Sequence, residues 1–158
     1  MSILAALDNT GYDIQLVVHI LSVAVWAGST VALTLAANSA VKNSSEVIGW
    51  FAGLSKVLNL RVKSVAFVLL FVTGMGLLGM SEKYFKISDP FISVGFAAVI
   101  IGGAVGGMLH APAAKAMAAA AASGNASDAK QAASKMMLGN AIETVLVVVT
   151  VFMMVSAR

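Results

Sequence analysis

The chain of 158 residues contains no cysteine, two prolines and few charged side chains. Without cysteine, the protein has no disulfide, no thiolate metal site, no thioether attachment of haem and no cysteine nucleophile. Charged residues make up 11% of the chain, whereas soluble domains contain about 25%. Hydrophobic residues make up 59%. The composition is therefore that of an integral membrane protein.

Four apolar stretches fill most of the chain, at residues 14–37, 64–80, 91–111 and 139–155. The hydrocarbon core of a bilayer is about 30 Å thick, and a helix needs about 20 apolar residues to cross it. The sequence therefore predicts an all-α fold in a single domain, residues 1–158, built as a four-helix transmembrane bundle.

Two segments between the stretches are predicted to extend the bundle beyond the bilayer as short cytoplasmic helices. Segment 45–63 has apolar side chains at helical spacing, and segment 113–138 is rich in alanine, the best helix former. The second segment is interrupted at 123–125 and restarts near Ser127, which resembles a helix cap. We expect a helical hairpin there, with a disordered loop as the alternative. Pro112 should kink or end the third span.

The basic residues of the loops predict the orientation of the chain. Lys and Arg accumulate on the cytoplasmic side of membrane proteins, and loops 1–2 and 3–4 outnumber the opposite side by seven to three. This places both termini outside, in a bacterial inner membrane, with the first span retained. Because these basic residues flank membrane spans, they do not indicate a nucleic-acid partner. The seven residues are Lys42, Lys56, Arg61, Lys63, Lys115, Lys130 and Lys135, and the three are Lys83, Lys86 and Arg158.

His19 is the first candidate for a ligand-binding residue. It lies in the first span, seven residues before Trp26, so the two side chains share one face of a helix. An imidazole inside a membrane is costly and usually has a partner in the bundle interior. One interpretation is a haem, porphyrin or metal ligand; the other is a hydrogen bond to a hydroxyl such as that of Thr73 or Thr150. His110 should lie near the opposite face of the membrane, too far away to share a haem with His19.

A second polar group is expected at the cytoplasmic end of the spans. Glu143 is the only acid inside an apolar stretch, and Arg61, Lys63, His110 and Asn140 should lie at the same depth. A carboxylate in lipid is paired or protonated. One interpretation is an ion pair of Glu143 with Arg61 or Lys63 that ties the second span to the fourth. The other interpretation is a cluster of polar side chains that handles protons or binds an anion.

Glycines at 102, 103, 106 and 107 give the third span small residues at a spacing of four. Such residues let a neighbouring helix approach closely, so we expect them to face a helix of this chain or of a partner. The partners would be other membrane subunits or further copies of the chain. The nine methionines form no closely spaced repeat of thioether ligands, and we predict no metal site from them.

The stretch HILSVAVWAG, residues 19–28, resembles the H-x6-W-x-G opening of small copper-resistance D (CopD)-like membrane proteins and of HemJ-type protoporphyrinogen oxidases. Arg61 followed by FVTGMGLL is similar to their second span, and the ending ETVLVVVTVFMMVSAR is similar to the last span of related families of unknown function. The resemblance implies a four-helix membrane bundle with His19 as the natural ligand of haem b or a metal. Two departures from HemJ-type proteins argue against protoporphyrinogen oxidation. The first span continues as VALTLAANSAV, where HemJ-type proteins have a longer charged continuation. The third span begins FISVGFAAV and lacks the lysine that they have in its first half.

Three functions remain in competition at this stage. The leading hypothesis is a non-catalytic accessory or bundle subunit of a bacterial inner-membrane system, which would not itself be an enzyme. The first alternative is a redox membrane protein that binds haem b or another tetrapyrrole through His19, with Trp26 beside it. The second alternative is a metal transporter of the copper-resistance type.

Overall fold

A computed structural model describes residues 10–81 and 84–157 of the chain. These residues form helices and connecting turns without a strand, which confirms the predicted all-α fold. Lys83 and Arg158, which enter the count of loop charges, lie outside the described residues. The helices are α1 (Thr10–Ala40), α2 (Ser45–Val57), α3 (Lys63–Met80), α4 (Pro90–Val105), α5 (Ala111–Ser123) and α6 (Ala126–Ser156).

Two π-helical turns join pairs of these helices into longer rods. The turn Leu58–Val62 connects α2 to α3, and the turn Gly106–His110 connects α4 to α5. Within the described residues, four rods are long and apolar enough to cross a membrane, with 31, 36, 34 and 31 residues in chain order. The protein is thus a small polytopic membrane protein, and its four rods form the predicted bundle.

The bundle has two halves with different neighbours. In the first half, α1 packs against α3 and α6, and α4 packs against α6. In the second half, α2 packs against α5, and α5 packs back along the beginning of α6. We call the second half the extension, since it consists of the helical segments predicted to leave the bilayer. The expected helical hairpin of segment 113–138 is formed by α5 and α6.

The tight turn between α5 and α6 is built by two residues. Gly124 ends α5 with a φ of 68°, in the left-handed region that glycine adopts without steric cost. Asn125 then caps α6: its side-chain oxygen accepts hydrogen bonds from the backbone N–H groups of Ser127 at 3.1 Å and Asp128 at 3.2 Å. The cap expected near Ser127 is therefore Asn125, because the chain enters the helix immediately after the glycine.

Pro112 does not end the third rod, which continues to Ser123. A proline inside a helix lacks the N–H for one hydrogen bond and crowds the carbonyl four residues earlier. That carbonyl belongs to Met108, which lies inside the π-helical turn Gly106–His110. We infer that the wider spacing of this turn makes room for the proline ring.

The glycines of the third span do not all pack as expected. A Cβ atom at Gly102 would lie 2.9 Å from Phe67 and 3.1 Å from Trp26, so this glycine allows close packing inside the bundle. At Gly103, Gly106 and Gly107 a Cβ would meet no atom within 4 Å. Among the described residues, these three glycines therefore make no close approach to another helix, and Gly103 and Gly107 are exposed. Contact of this face with a partner stays a prediction.

Candidate functional site

An apolar cavity of about 270 Å³ lies between α1, α3, α4 and α6, in the half of the bundle that contains His19. Aromatic side chains from two helices, among them Trp26 and Phe96, form much of its wall. Among residues 10–81 and 84–157, none that lines the cavity is Asp, Glu, Lys or Arg. From these residues a ligand would meet mainly aliphatic and aromatic surface.

His19 forms part of the cavity wall and is held by Thr73. Its Nδ1 atom lies 2.8 Å from Thr73 Oγ1, which confirms the expected hydrogen bond to a hydroxyl. Thr73 Oγ1 also donates to the backbone carbonyl of Leu69 at 2.5 Å. When Thr73 donates its one hydrogen to Leu69, it accepts from His19, and in that arrangement Nδ1 carries the imidazole proton. The lone pair of Nε2 then remains available to a ligand.

Two further residues of the cavity wall contain a buried polar atom without a hydrogen-bond partner. These atoms are the indole nitrogen of Trp26 and the hydroxyl of Thr150. Trp26 is fixed by an edge-to-face contact with Phe67, with ring centroids 5.0 Å apart. Buried polar groups are almost always hydrogen-bonded, so these two groups are candidates to pair with a polar atom of a ligand or water.

Glu143 forms the centre of a second site, at another depth in the bundle. Its Oε2 atom makes a salt bridge with Lys63 and accepts a hydrogen bond of 2.8 Å from Thr30. The ammonium group of Lys63 also donates to the side-chain oxygen of Asn59 at 3.0 Å. All four residues are at most 3% exposed. The ion pair expected between the second and fourth spans is therefore formed, and it is formed with Lys63.

His110 and Asn140 complete this cluster. His110 Nδ1 lies 3.5 Å from the free Oε1 atom of Glu143, and both side chains are fully buried. Asn140 is fully buried as well, one helical turn before Glu143 on α6. All four rods thus contribute polar side chains to one point of the interior.

Arg61 does not belong to the cluster, although the sequence placed it there. It is exposed and lies beside Val18, Leu21 and Val65 on the outside of α1 and α3. The reason is helical geometry, because residues two apart do not face the same side, and Lys63 takes the inner position. Since Lys63 is buried, it no longer counts as a loop charge, and the number of basic loop residues on that side falls from seven to six.

The cavity and the cluster are separate sites. Thr30 follows His19 by eleven residues on α1, which is about 16 Å at 1.5 Å per residue. His110 is in the cluster and is not among the residues that line the cavity. The two histidines therefore do not hold one ligand together, as the depth argument predicted.

Thr30, Asn59 and Gly139 contribute to the cluster and were missed in the sequence. Asn59 precedes Lys63 by four residues, and Gly139 precedes Glu143 by four. Residues four apart lie on the same side of a helix, so a search one turn away from each charged residue would have found both. Thr30 carried no comparable signal, because its partner is on another rod.

Comparison of the chain with protein-family models, curated proteins and solved structures finds no match. The similarity to CopD-like and HemJ-type proteins consequently rests on the short motifs in the spans.

Proposed function

We propose that the protein is a non-catalytic accessory subunit of a bacterial inner-membrane system, and that its cavity holds a flat, uncharged, lipid-soluble cofactor between His19 and Trp26. The observation that carries this proposal is that three residues of an apolar wall, whose described members include no Asp, Glu, Lys or Arg, each have a polar group without a hydrogen-bond partner. These groups are Nε2 of His19, the indole N–H of Trp26 and the hydroxyl of Thr150.

The free groups define the chemistry of the ligand. An indole N–H only donates, an unprotonated Nε2 only accepts, and a hydroxyl does either. A quinol meets these requirements, because one hydroxyl oxygen accepts from Trp26 and a hydroxyl group donates to His19. The oxidised quinone, which has only carbonyl oxygens, accepts from Trp26 and Thr150. Its uncharged body suits a wall without ionic side chains, since burying an unpaired charge is expensive. We therefore favour the quinone class.

Haem b bound through His19 is the second candidate, and one observation favours it. The hydrogen bond from Nδ1 to Thr73 fixes the ring in the way that metal-ligating histidines are usually fixed. Met154 lines the same cavity and offers the thioether of a His–Met ligand pair. Bound haem would supply one-electron redox chemistry. Its two carboxylates find no Lys or Arg among the lining residues, which is why we rank it second.

Spectroscopy of the purified protein distinguishes the two ligands. We expect an organic extract to contain a quinone and the intact protein to show no Soret band. A Soret band that disappears in His19→Ala would replace the quinone with haem. Neither a Soret band nor an extractable quinone, together with no binding of an added quinone analogue, would refute the cavity proposal.

Tryptophan fluorescence measures binding at the cavity directly. The chain has two tryptophans, and Trp50 is 67% exposed, so Trp50→Phe leaves Trp26 as the sole reporter. We expect a short-chain quinone analogue to quench this signal. In that background Thr150→Val should weaken binding about 2- to 10-fold, as the loss of one hydrogen bond does. The matched control is Thr144→Val, which changes a threonine on the same helix outside the cavity.

The orientation and the accessory role are parts of the same proposal. Support for the orientation comes from the six exposed basic residues on the extension side, and support for a partner comes from the open outer face at Gly103 and Gly107. Reporter fusions at Ala121 and Lys86 should report the cytoplasm and the outside respectively. The copper-transport alternative remains a prediction of the motif resemblance alone.

A further inference from the structure

The two π-helical turns meet beside the ion pair of Lys63 and Glu143. The turn Leu58–Val62 ends directly before Lys63, and the turn Gly106–His110 ends on His110; the two turns are in contact. A π-helical turn is rare, and when it occurs inside a helix it is often at a functional site. In this protein each turn delivers a buried polar side chain to the same point.

Several polar atoms at this point have no hydrogen-bond partner. In folded proteins nearly every buried polar group is paired, so a concentration of unpaired atoms marks a place for something polar. Here the unpaired atoms come from three rods. They are Asn59 Nδ2, His110 Nδ1 and Nε2, Asn140 Nδ2 and Oδ1, and Glu143 Oε1.

The charges around these atoms limit what can bind. A metal cation would be repelled by the ammonium group of Lys63, and an anion would be repelled by the carboxylate of Glu143. Glu143 Oε2 is already occupied by Lys63 and Thr30. The free space lies between Oε1 and His110 Nδ1, which are 3.5 Å apart. That gap is too short for an additional atom and wide enough for a hydrogen.

We propose that His110 Nδ1 and Glu143 Oε1 together bind one exchangeable proton inside the bundle. The proton comes from water and adds to the imidazole lone pair, so no bond to carbon breaks and no electron is transferred. The imidazolium then donates to Oε1, and the carboxylate of Glu143 lies between two cations, His110 on one oxygen and Lys63 on the other. Internal water would pair with the free amides of Asn59 and Asn140.

Two charged groups act on the His110 ring from the elements packed around it, Glu143 on α6 and Lys63 on α3. The Asn140 side chain, also on α6, lies beside the ring. From α1, the residue in the cluster is Thr30, which does not titrate in water. The carboxylate favours the imidazolium, whereas the ammonium group and the burial of the ring oppose it.

Gly139 positions the imidazole. A Cβ atom at this glycine would lie 2.5 Å from His110 Nε2 and 2.8 Å from its Cδ2, which is closer than real Cβ contacts allow. Gly139→Ala must therefore displace the ring relative to Glu143. It removes no titratable group, so it tests the geometry of the proton site separately from its charges.

Nitrogen NMR of the full chain in lipid nanodiscs tests the proposal. His19→Asn leaves His110 as the only histidine, and it also separates this test from ligand binding at the cavity. We expect both ring nitrogens of His110 to shift through a single protonation as the pH is lowered. Gly139→Ala should move the midpoint of that titration, because it displaces the ring relative to Glu143, and Gly103→Ala, whose Cβ meets no neighbour, should leave it unchanged.

The charge variant gives a second, independent measurement. Lys63→Met with Glu143→Gln removes the carboxylate without leaving an unpaired lysine, and it should also lower the proton affinity of His110. Ring nitrogens that show no protonation over the whole pH range in which the protein stays folded would overturn the proposal. It would also be overturned by a titration that Gly139→Ala leaves unchanged, whether or not the double variant folds.

Discussion

The membrane half of the bundle and the extension are built with opposite polarity. The membrane half exposes large apolar side chains such as Ile14, Val68 and Phe152, each at least 60% exposed, and it buries Lys63 and Glu143. The extension buries an apolar core of alanine and methionine and exposes its lysines. The buried residues of its core are Leu33, Ala37, Ala40, Ile48, Phe51, Ala52, Ala113, Ala114, Met117, Ala120, Ala129, Ala132, Ala133 and Met136.

The contrast fits the prediction that the extension lies in water and the other half in lipid. In water, burial of apolar surface drives helices together, and charged groups stay outside. Lipid is as apolar as leucine, so helices in a bilayer associate through close packing and through polar contacts in the interior. Both halves share the rods α1 and α6. Each of these helices therefore changes along its length in which side chains it buries and which it exposes. The variants below test each half by the contact on which it depends.

The ion pair should give the largest effect in the membrane half. Lys63→Met leaves the buried carboxylate of Glu143 without its cation, and loss of one partner of a buried pair costs about 3–5 kcal/mol. We expect the free energy of unfolding, measured by denaturant titration in detergent, to fall by about this amount. The control is Arg61→Met, which removes an exposed charge two residues away and should change stability by less than about 0.5 kcal/mol.

The double variant Lys63→Met, Glu143→Met sharpens this result. Replacement of a buried ion pair by apolar side chains of similar volume is often neutral or stabilising. The double variant should therefore recover most of the stability that Lys63→Met loses. Equal losses in the single and double variants would mean that packing, and not the unpaired carboxylate, causes the defect.

In the extension, the methionine core should give the next largest effect. Met136 is completely buried in that core, and truncation of a buried methionine to alanine costs about 2–5 kcal/mol. We expect Met136→Ala to increase amide hydrogen exchange in α2 and α5 while the spans stay protected. Leu138→Ala, on the same helix but 57% exposed, is the control. Equal exchange in both variants would contradict an apolar core in this half.

Close helix packing in the membrane half should give an intermediate effect. Gly102→Ala places a methyl group against Phe67 and Trp26, and such overpacking costs about 1–3 kcal/mol. Thermal unfolding in detergent measures the loss. Gly103→Ala adds the same methyl group to open space on the next residue and should leave the melting temperature unchanged. A loss in both variants would indicate intrinsic helix effects in place of packing.

The sequence was sufficient to predict the architecture because apolar length is a local property. Four stretches near the thickness of a bilayer required four rods, and the extensions followed from helical spacing and alanine content. Lys63 was also placed at the right depth. The sequence pattern did not determine the rotation of each helix about its axis. Whether Arg61 or Lys63 faces the interior therefore depended on the positions of the neighbouring rods.

The candidate sites were predictable only in part for the same reason. His19 and Glu143 stood out as polar groups in apolar stretches, and their partners Thr73 and Lys63 were among those named. The π-helical turns were not visible, because they depend on which side chains the neighbouring rods accept. The outer position of Gly103 and Gly107 follows from that rotation as well, and the glycine spacing alone could not show it.

The smallest effect is expected at Asn125, the helix cap in the turn between α5 and α6. Asn125 accepts hydrogen bonds from the N–H groups of Ser127 and Asp128, and loss of such a cap costs about 1 kcal/mol. Asn125→Ala should therefore lower the stability of the extension by about this amount, seen as faster hydrogen exchange at the start of α6. Asn125 Nδ2 also donates to Asp128 Oδ2 at 2.9 Å, so the matched control is Asn125→Ser, which keeps an accepting oxygen without placing a second carboxylate beside Asp128. Because the cap lies in the extension, exchange in the spans should be identical in all three proteins, and faster exchange around Glu143 in Asn125→Ala would show that the two halves unfold as one unit.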